Sequence, residues 1–123
     1  YEPIFLPFSY GFRPNRNCHD ALKAHMQQAN KNQNGTVVEI DISKYFNTIP
    51  HAVLEEILAK KITDKRFLML LKALIKAPTL AGNNVISNDI GCPQGSMLSP
   101  ILANIYLHYV IDEWFAGTVQ QHI

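Results

Sequence analysis

No run of about 18 apolar residues occurs in this 123-residue chain, which excludes a transmembrane helix and a membrane partner. The chain also lacks an excess of charge of either sign. Eleven Lys+Arg stand against ten Asp+Glu, for a net charge of +1. A basic arm is thereby excluded, so any nucleic-acid contact must come from local geometry. The small surplus sits early, at Arg13, Arg16, Lys23 and Lys31. Cysteine is scarce: Cys18 and Cys92 lie far apart, no histidines stand at zinc-site offsets, and both read as free thiols. The five histidines form no His-x-x-x-His pair and read as surface or packing residues. Gln94-Gly95-Ser96-Met97-Leu98 lacks the second glycine of a serine-hydrolase elbow. Repeats, low-complexity tracts and a basic-then-apolar leader are missing too, so a cytoplasmic protein is expected.

What is present suffices for a core, since 47% of residues are hydrophobic and 17% charged. Pro3, Pro7 and Pro14 keep the first sixteen positions out of a helix. Asn17 is placed to cap a helix through Leu22, Met26 and Ala29 that stops by Gly35. The β-branched run Thr36 to Ile42 predicts a strand, with Val38, Ile40 and Ile42 on the core face and Val37, Glu39 and Asp41 on the other. Two helices follow, the first opening at Pro50 and the second at Asp64, close enough to form an antiparallel pair. Residues 79–91 predict a hairpin turning at Gly82-Asn83-Asn84. Ser99-Pro100 resembles an N-cap and first helical residue of a last, broadly apolar helix running to about Phe115.

Three segments could carry chemistry. Asp41 ends the predicted strand on the face away from the core. A carboxylate held there suits Mg²⁺, which takes few protein oxygens and keeps its waters. A solvated Asp capping the turn fits the same pattern, and Glu39 on the same face reads as a surface charge. Pro93-Gln94-Gly95-Ser96 leads into a helix. Gly95 admits close approach of another molecule, and the exposed N–H groups favour phosphate. An ordinary loop-to-helix junction would look alike. In Ser9-Tyr10-Gly11-Phe12-Arg13-Pro14 the arginine is either a positioned phosphate or nucleic-acid contact or a surface residue on a rigid loop.

The order of three motifs is more informative than any one of them. Ser9 to Pro14 comes first, then Glu39-Ile40-Asp41-Ile42-Ser43-Lys44-Tyr45-Phe46-Asn47-Thr48-Ile49 with His51 behind it, then Gly91-Cys92-Pro93-Gln94-Gly95-Ser96-Met97-Leu98-Ser99-Pro100 and the helix to Leu107. Together they resemble the bacterial reverse transcriptases of the group II intron maturase type. Diversity-generating and retron-type enzymes share less of the pattern. The resemblance implies an α+β fold: part of a right-hand polymerase, helix-rich with a small antiparallel sheet. Residues 1–35 would be fingers-side and 36–123 palm-side. It implies an RNA-directed DNA polymerase that adds deoxynucleotides to a primer 3′-hydroxyl, with two Mg²⁺ ions. Asp41 and the Ile42 carbonyl would be metal ligands. Phe46 would be the steric gate against a 2′-hydroxyl. Gln94 and Gly95 would line the nucleotide pocket, and Arg13 would sit near template or nucleotide. The implied partners are RNA template, DNA primer and dNTP, and they extend to intron RNA.

The upstream triphosphate-binding motifs and the Tyr-Ala-Asp-Asp motif of such enzymes are not in this sequence, which opens on Tyr1 rather than Met. The chain therefore reads as a piece of a longer protein. As an isolated fragment it is expected to be inactive, and its exposed apolar surface is expected to drive self-association. The competing expectation is a polymerase-shaped RNA-binding or maturase module without catalysis.

Overall fold

Two of the helices begin where a capping side chain puts them. The Asn17 side chain accepts a hydrogen bond from the Asp20 amide and opens α1, Cys18–Lys31. This helix ends before the expected glycine: the Asn32 amide bonds the Gln28 carbonyl, and Gly35 follows as part of the exit turn. Asp64 caps a later helix by accepting from the Arg66 and Phe67 amides.

The computed structural model describes residues 1–87, 89–92 and 96–122, and the chain divides into two compact units. The first, Glu2–Ser43, holds a short 3₁₀ turn at Glu2–Ile4, the loop to Arg16, and α1. None of its described residues is fully buried. The predicted strand at Thr36 to Ile42 is not formed. Val38 and Ile40, expected in the core, are 75% and 84% exposed, and Ile42 is exposed as well. The physical reason is that a strand exists only against a partner's backbone, and β-branched content merely suits a pleated, half-buried surface. No neighbouring strand among the described residues supplies that partner.

The second unit comprises Tyr1 with Lys44–Ile123. Its elements are α2 (Tyr45–Thr48), α3 (His51–Ala59), α4 (Lys65–Ile75), β1 (Thr79–Ala81), β2 (Asn84–Ile86) and α5 (Ser99–Leu107). The strands pair antiparallel in the register Thr79 with Ile86 and Leu80 with Val85, around a turn where Gly82 takes φ of +62°. A hairpin stands where one was expected but is shorter, ending at Ile86 with Asn84 already in the second strand, and the described residues are helix-rich with one small antiparallel sheet. Two boundaries differ from expectation. Ser99 is the first helical residue of α5 rather than its cap, and it is buried. Helical backbone also continues past Phe115, through π-helical turns at His108–Asp112 and Phe115–Val119 to His122. No proline follows Pro100 to stop it.

α3 packs against both α4 and α5. The apolar spacing of each helix places Ile49, Leu54, Ile57, Leu58, Leu71, Ile75, Leu102 and Ile105 in one core. Each such side chain contributes roughly 1.5–3 kcal/mol by leaving water. On the rim, Glu55 of α3 bridges Lys72 at 2.9 Å and Lys76 at 3.1 Å, one turn apart on α4. The hydrogen bond from Lys72, aided by Lys76 and opposed by desolvation, holds the Glu55 carboxyl below its ordinary value.

A carboxyl with a lowered pKa in the fold stabilises above its unfolded value and loses that contribution as pH falls through the folded one. Glu55→Gln should therefore lower stability by about 0.5–1 kcal/mol at neutral pH, the scale of a partly exposed ion-pair network. The gap between wild type and variant should close in acid. Urea denaturation at neutral and acid pH checks this, and a gap independent of pH would contradict it.

Candidate functional site

The segment Tyr45–Thr48 makes only one helical turn, too short to hold itself. It is pinned from outside. Lys44 enters it with φ of +51°, and the Thr48 hydroxyl donates back to the Tyr45 carbonyl at 3.0 Å. The Tyr45 hydroxyl donates to the Ala103 carbonyl on α5 at 2.7 Å, and its ring packs against Tyr106 at 6.4 Å between centroids. Burial, with Cys92 and Tyr106 nearby, pushes the Tyr45 phenol well above its usual range, so it stays a neutral donor. Phe46 follows, half-buried, its ring 5.6 Å from that of Tyr45.

The other side of the turn is held by Gly91 and Cys92. The Cys92 amide donates to the Phe46 carbonyl at 2.7 Å, and the Gly91 amide donates to the Ile49 carbonyl at 2.8 Å. Gly91 has φ of +83°, and a β-carbon there would lie 2.7 Å from the Phe46 carbonyl oxygen and 2.8 Å from the Asn47 Cα. Only glycine meets both demands. The carbonyl of the same glycine accepts from His51 Nε2, 2.6 Å away on the first residue of α3. A carbonyl can only accept, so Nε2 carries the proton. The imidazole is 5% exposed, and its Nδ1 has no hydrogen-bond partner among the described residues. Cys92, next to Gly91 in sequence, is buried, and burial pushes its thiol up, which makes it a packing group rather than a nucleophile.

The residues singled out from sequence divide between the two units. Phe46 belongs to the pinned turn. Asp41 and Ile42 lie in the irregular end of the first unit, both exposed. The Asp41 carboxylate and the Ile42 carbonyl are hard oxygen donors of the kind Mg²⁺ takes. Among the described residues no cluster of three His, Cys, Asp or Glu that could hold a metal surrounds them. Arg13 is turned inward, with its side chain 6% exposed. It pairs with Glu2, donates to the carbonyls of Leu6 at 2.9 Å and Ser9 at 2.7 Å, and lies over the Phe5 ring. It thereby ties the proline-rich loop together, while Phe12, at φ of +51°, is left 72% exposed. Gln94 and Gly95 lie outside the described residues.

Sequence reasoning gave Gly91 no role of its own and treated His51 as one more surface or packing histidine. The available signal was their company: His51 follows the Phe46 motif, and Gly91 opens the Gln94-Gly95 motif.

The family pattern described as reverse transcriptase (RNA-dependent DNA polymerase) matches residues 2–122. An uncharacterized 91 kDa protein in a cob intron of Schizosaccharomyces pombe is 44% identical over 116 residues, covering 93% of this chain and 14% of that protein. The group II intron-encoded protein LtrA of Lactococcus lactis subsp. cremoris is 41% identical over 108 residues, covering 88% of this chain and 18% of LtrA. Protein YkfC of Escherichia coli K12 is 33% identical over 128 residues, covering 98% of this chain and 34% of YkfC. The chain thus spans a minor part of the length of each.

Gly91→Ala should lower the stability of the chain by about 3 kcal/mol or more, the upper range for single substitutions, because the obstructing atoms are backbone and φ is positive. Urea unfolding followed by circular dichroism measures it. An unchanged midpoint would show that the Gly91 peptide does not sit against Phe46 and Asn47.

Proposed function

The chain belongs to the reverse transcriptase (RNA-dependent DNA polymerase) family, of the group II intron-encoded kind, and from that premise we propose that it is the part of an RNA-directed DNA polymerase that presents one metal-binding carboxylate and selects the sugar of the incoming nucleotide. The observation that carries this reading is the family match across residues 2–122, which takes in both the Asp41 and the Phe46 motifs. In this reading residues 1–35 are fingers-side and residues 36–123 palm-side of a right-hand polymerase. RNA template, DNA primer and dNTP are its ligands, with intron RNA as a further partner.

Asp41 and the Ile42 carbonyl would be Mg²⁺ ligands. When bound, Mg²⁺ supplies charge neutralisation for the attacking 3′-oxygen and the departing pyrophosphate. Asp41 is exposed, which leaves its carboxylate open to an approaching ion. The Phe46 ring, on a turn pinned at both ends, is a rigid wall against which a 2′-hydroxyl would clash. Rigidity matters here, because a wall that yields by an ångström does not discriminate. Arg13 acts indirectly in this reading: it fixes the loop that carries the exposed Phe12.

Two substitutions test the reading in a polymerase that carries this segment together with the remaining catalytic motifs. Asp41→Ala should reduce primer extension on an RNA template by about a thousandfold or more, the loss of several kcal/mol of transition-state stabilisation. Extension at the parental rate would refute the metal assignment and favour an RNA-binding module. Phe46→Ala should raise ribonucleotide incorporation at least about tenfold, the scale of one pocket contact. Unchanged sugar preference would remove the gate.

A further inference from the structure

We propose that His51 is a positioning residue for sugar selection: its Nε2–H bond to the Gly91 carbonyl fixes the Phe46 turn to the peptide that opens the Gln94-Gly95 motif. The inference rests on the reading of Phe46 as the gate and goes beyond it. Gly91 and the peptide that follows it are gripped at three points. The Gly91 amide donates to Ile49, the next amide donates to Phe46, and the Gly91 carbonyl accepts from His51. The first two bonds are made by backbone and are indifferent to sequence, apart from the glycine itself. The third is the only one of the three that a side chain makes, and its donor is a nearly fully buried imidazole. A buried polar group at the start of a helix is retained at a cost in desolvation, so its single bond has to be worth keeping.

Without that bond the Gly91 carbonyl loses its donor, and the 91–92 peptide is held only by the Cys92 amide and rotates more easily. The Cys92 amide that holds Phe46 lies in this same peptide and turns with it, whereas the Gly91 amide on Ile49 lies in the preceding one. The Phe46 backbone then loses the hydrogen bond on the side away from Tyr45, while Tyr45 itself stays docked on Ala103. The expected result is a gate that is present but loosely held.

The test is made in the complete polymerase, measuring kcat/KM for a dNTP and the matching rNTP. Histidine-to-glutamine places an amide N–H where Nε2 stood, whereas histidine-to-asparagine is too short to reach. His51→Ala and His51→Asn should each lower the dNTP-over-rNTP preference about fivefold, the scale of one lost hydrogen bond. The change should fall mainly on KM. His51→Gln should restore the parental preference. In a Phe46→Ala background, His51→Ala should lower the preference no further.

If Phe46→Ala relaxes sugar choice but His51→Ala and His51→Asn do not, the inference is overturned and the gate reading stands. If both nucleotides slow equally and glutamine fails to rescue, His51 is merely structural and the inference again fails. If Phe46→Ala itself leaves sugar choice unchanged, the gate reading falls and takes this inference with it. Should His51→Ala not fold, the Gln and Asn variants decide: equal sugar preference in the two would overturn the proposal.

Discussion

The grip of the Gly91–Cys92 peptide on residues 46–51 is the interaction on which the second unit depends. Hydrogen bonds of 2.6 to 2.8 Å join two stretches that would otherwise be unsupported. One is a single helical turn and the other is a loop. Neither could keep its conformation alone, because one turn fixes several dihedrals for little return. Together they satisfy each other's backbone groups in a buried place, where an unpaired amide or carbonyl costs about 1–3 kcal/mol. Glycine at 91 is the condition for the approach, and the core of α3, α4 and α5 is the base on which it rests.

The first unit is organised on a different principle. It buries none of its described residues, and its order comes from polar ties. Arg13 is the centre of these. One guanidinium reaches a carboxylate, two carbonyls and the face of a phenyl ring, a use that its planar fork of donors allows and a lysine would not. Arg16 repeats the device on a smaller scale, over the Tyr10 ring and against the Pro7 carbonyl. A loop fixed this way can hold Phe12 at a positive φ, a conformation that a bulky side chain rarely tolerates.

Sequence alone was a good guide wherever the cause of structure is local. The Asn17 and Asp64 caps, the Gly82 turn and the helix pair are determined within a few residues, and they stand where expected. It failed at Thr36 to Ile42, because a strand is a property of two segments and only one was in view. The direction of Arg13 was equally hidden, since an arginine between aromatics can turn either way. His51 and Gly91 are forty positions apart, and nothing in either neighbourhood announces the other. For the site, the motifs drew attention to the Phe46 turn, but not to what keeps it in place.

The separation between those two residues has another side. Residues 52–90 form a loop whose ends are clasped together, with the helix pair inside it and the exposed Gly82-Asn83 turn within its two-stranded hairpin. Extra length added at that turn would raise the closure entropy only slowly, about 0.6 kcal/mol for each doubling of the loop. The hairpin tip is thus a natural graft point. An affinity peptide or a small fluorescent domain inserted between Gly82 and Asn83 would be carried on the hairpin, leaving the clasp at its base undisturbed.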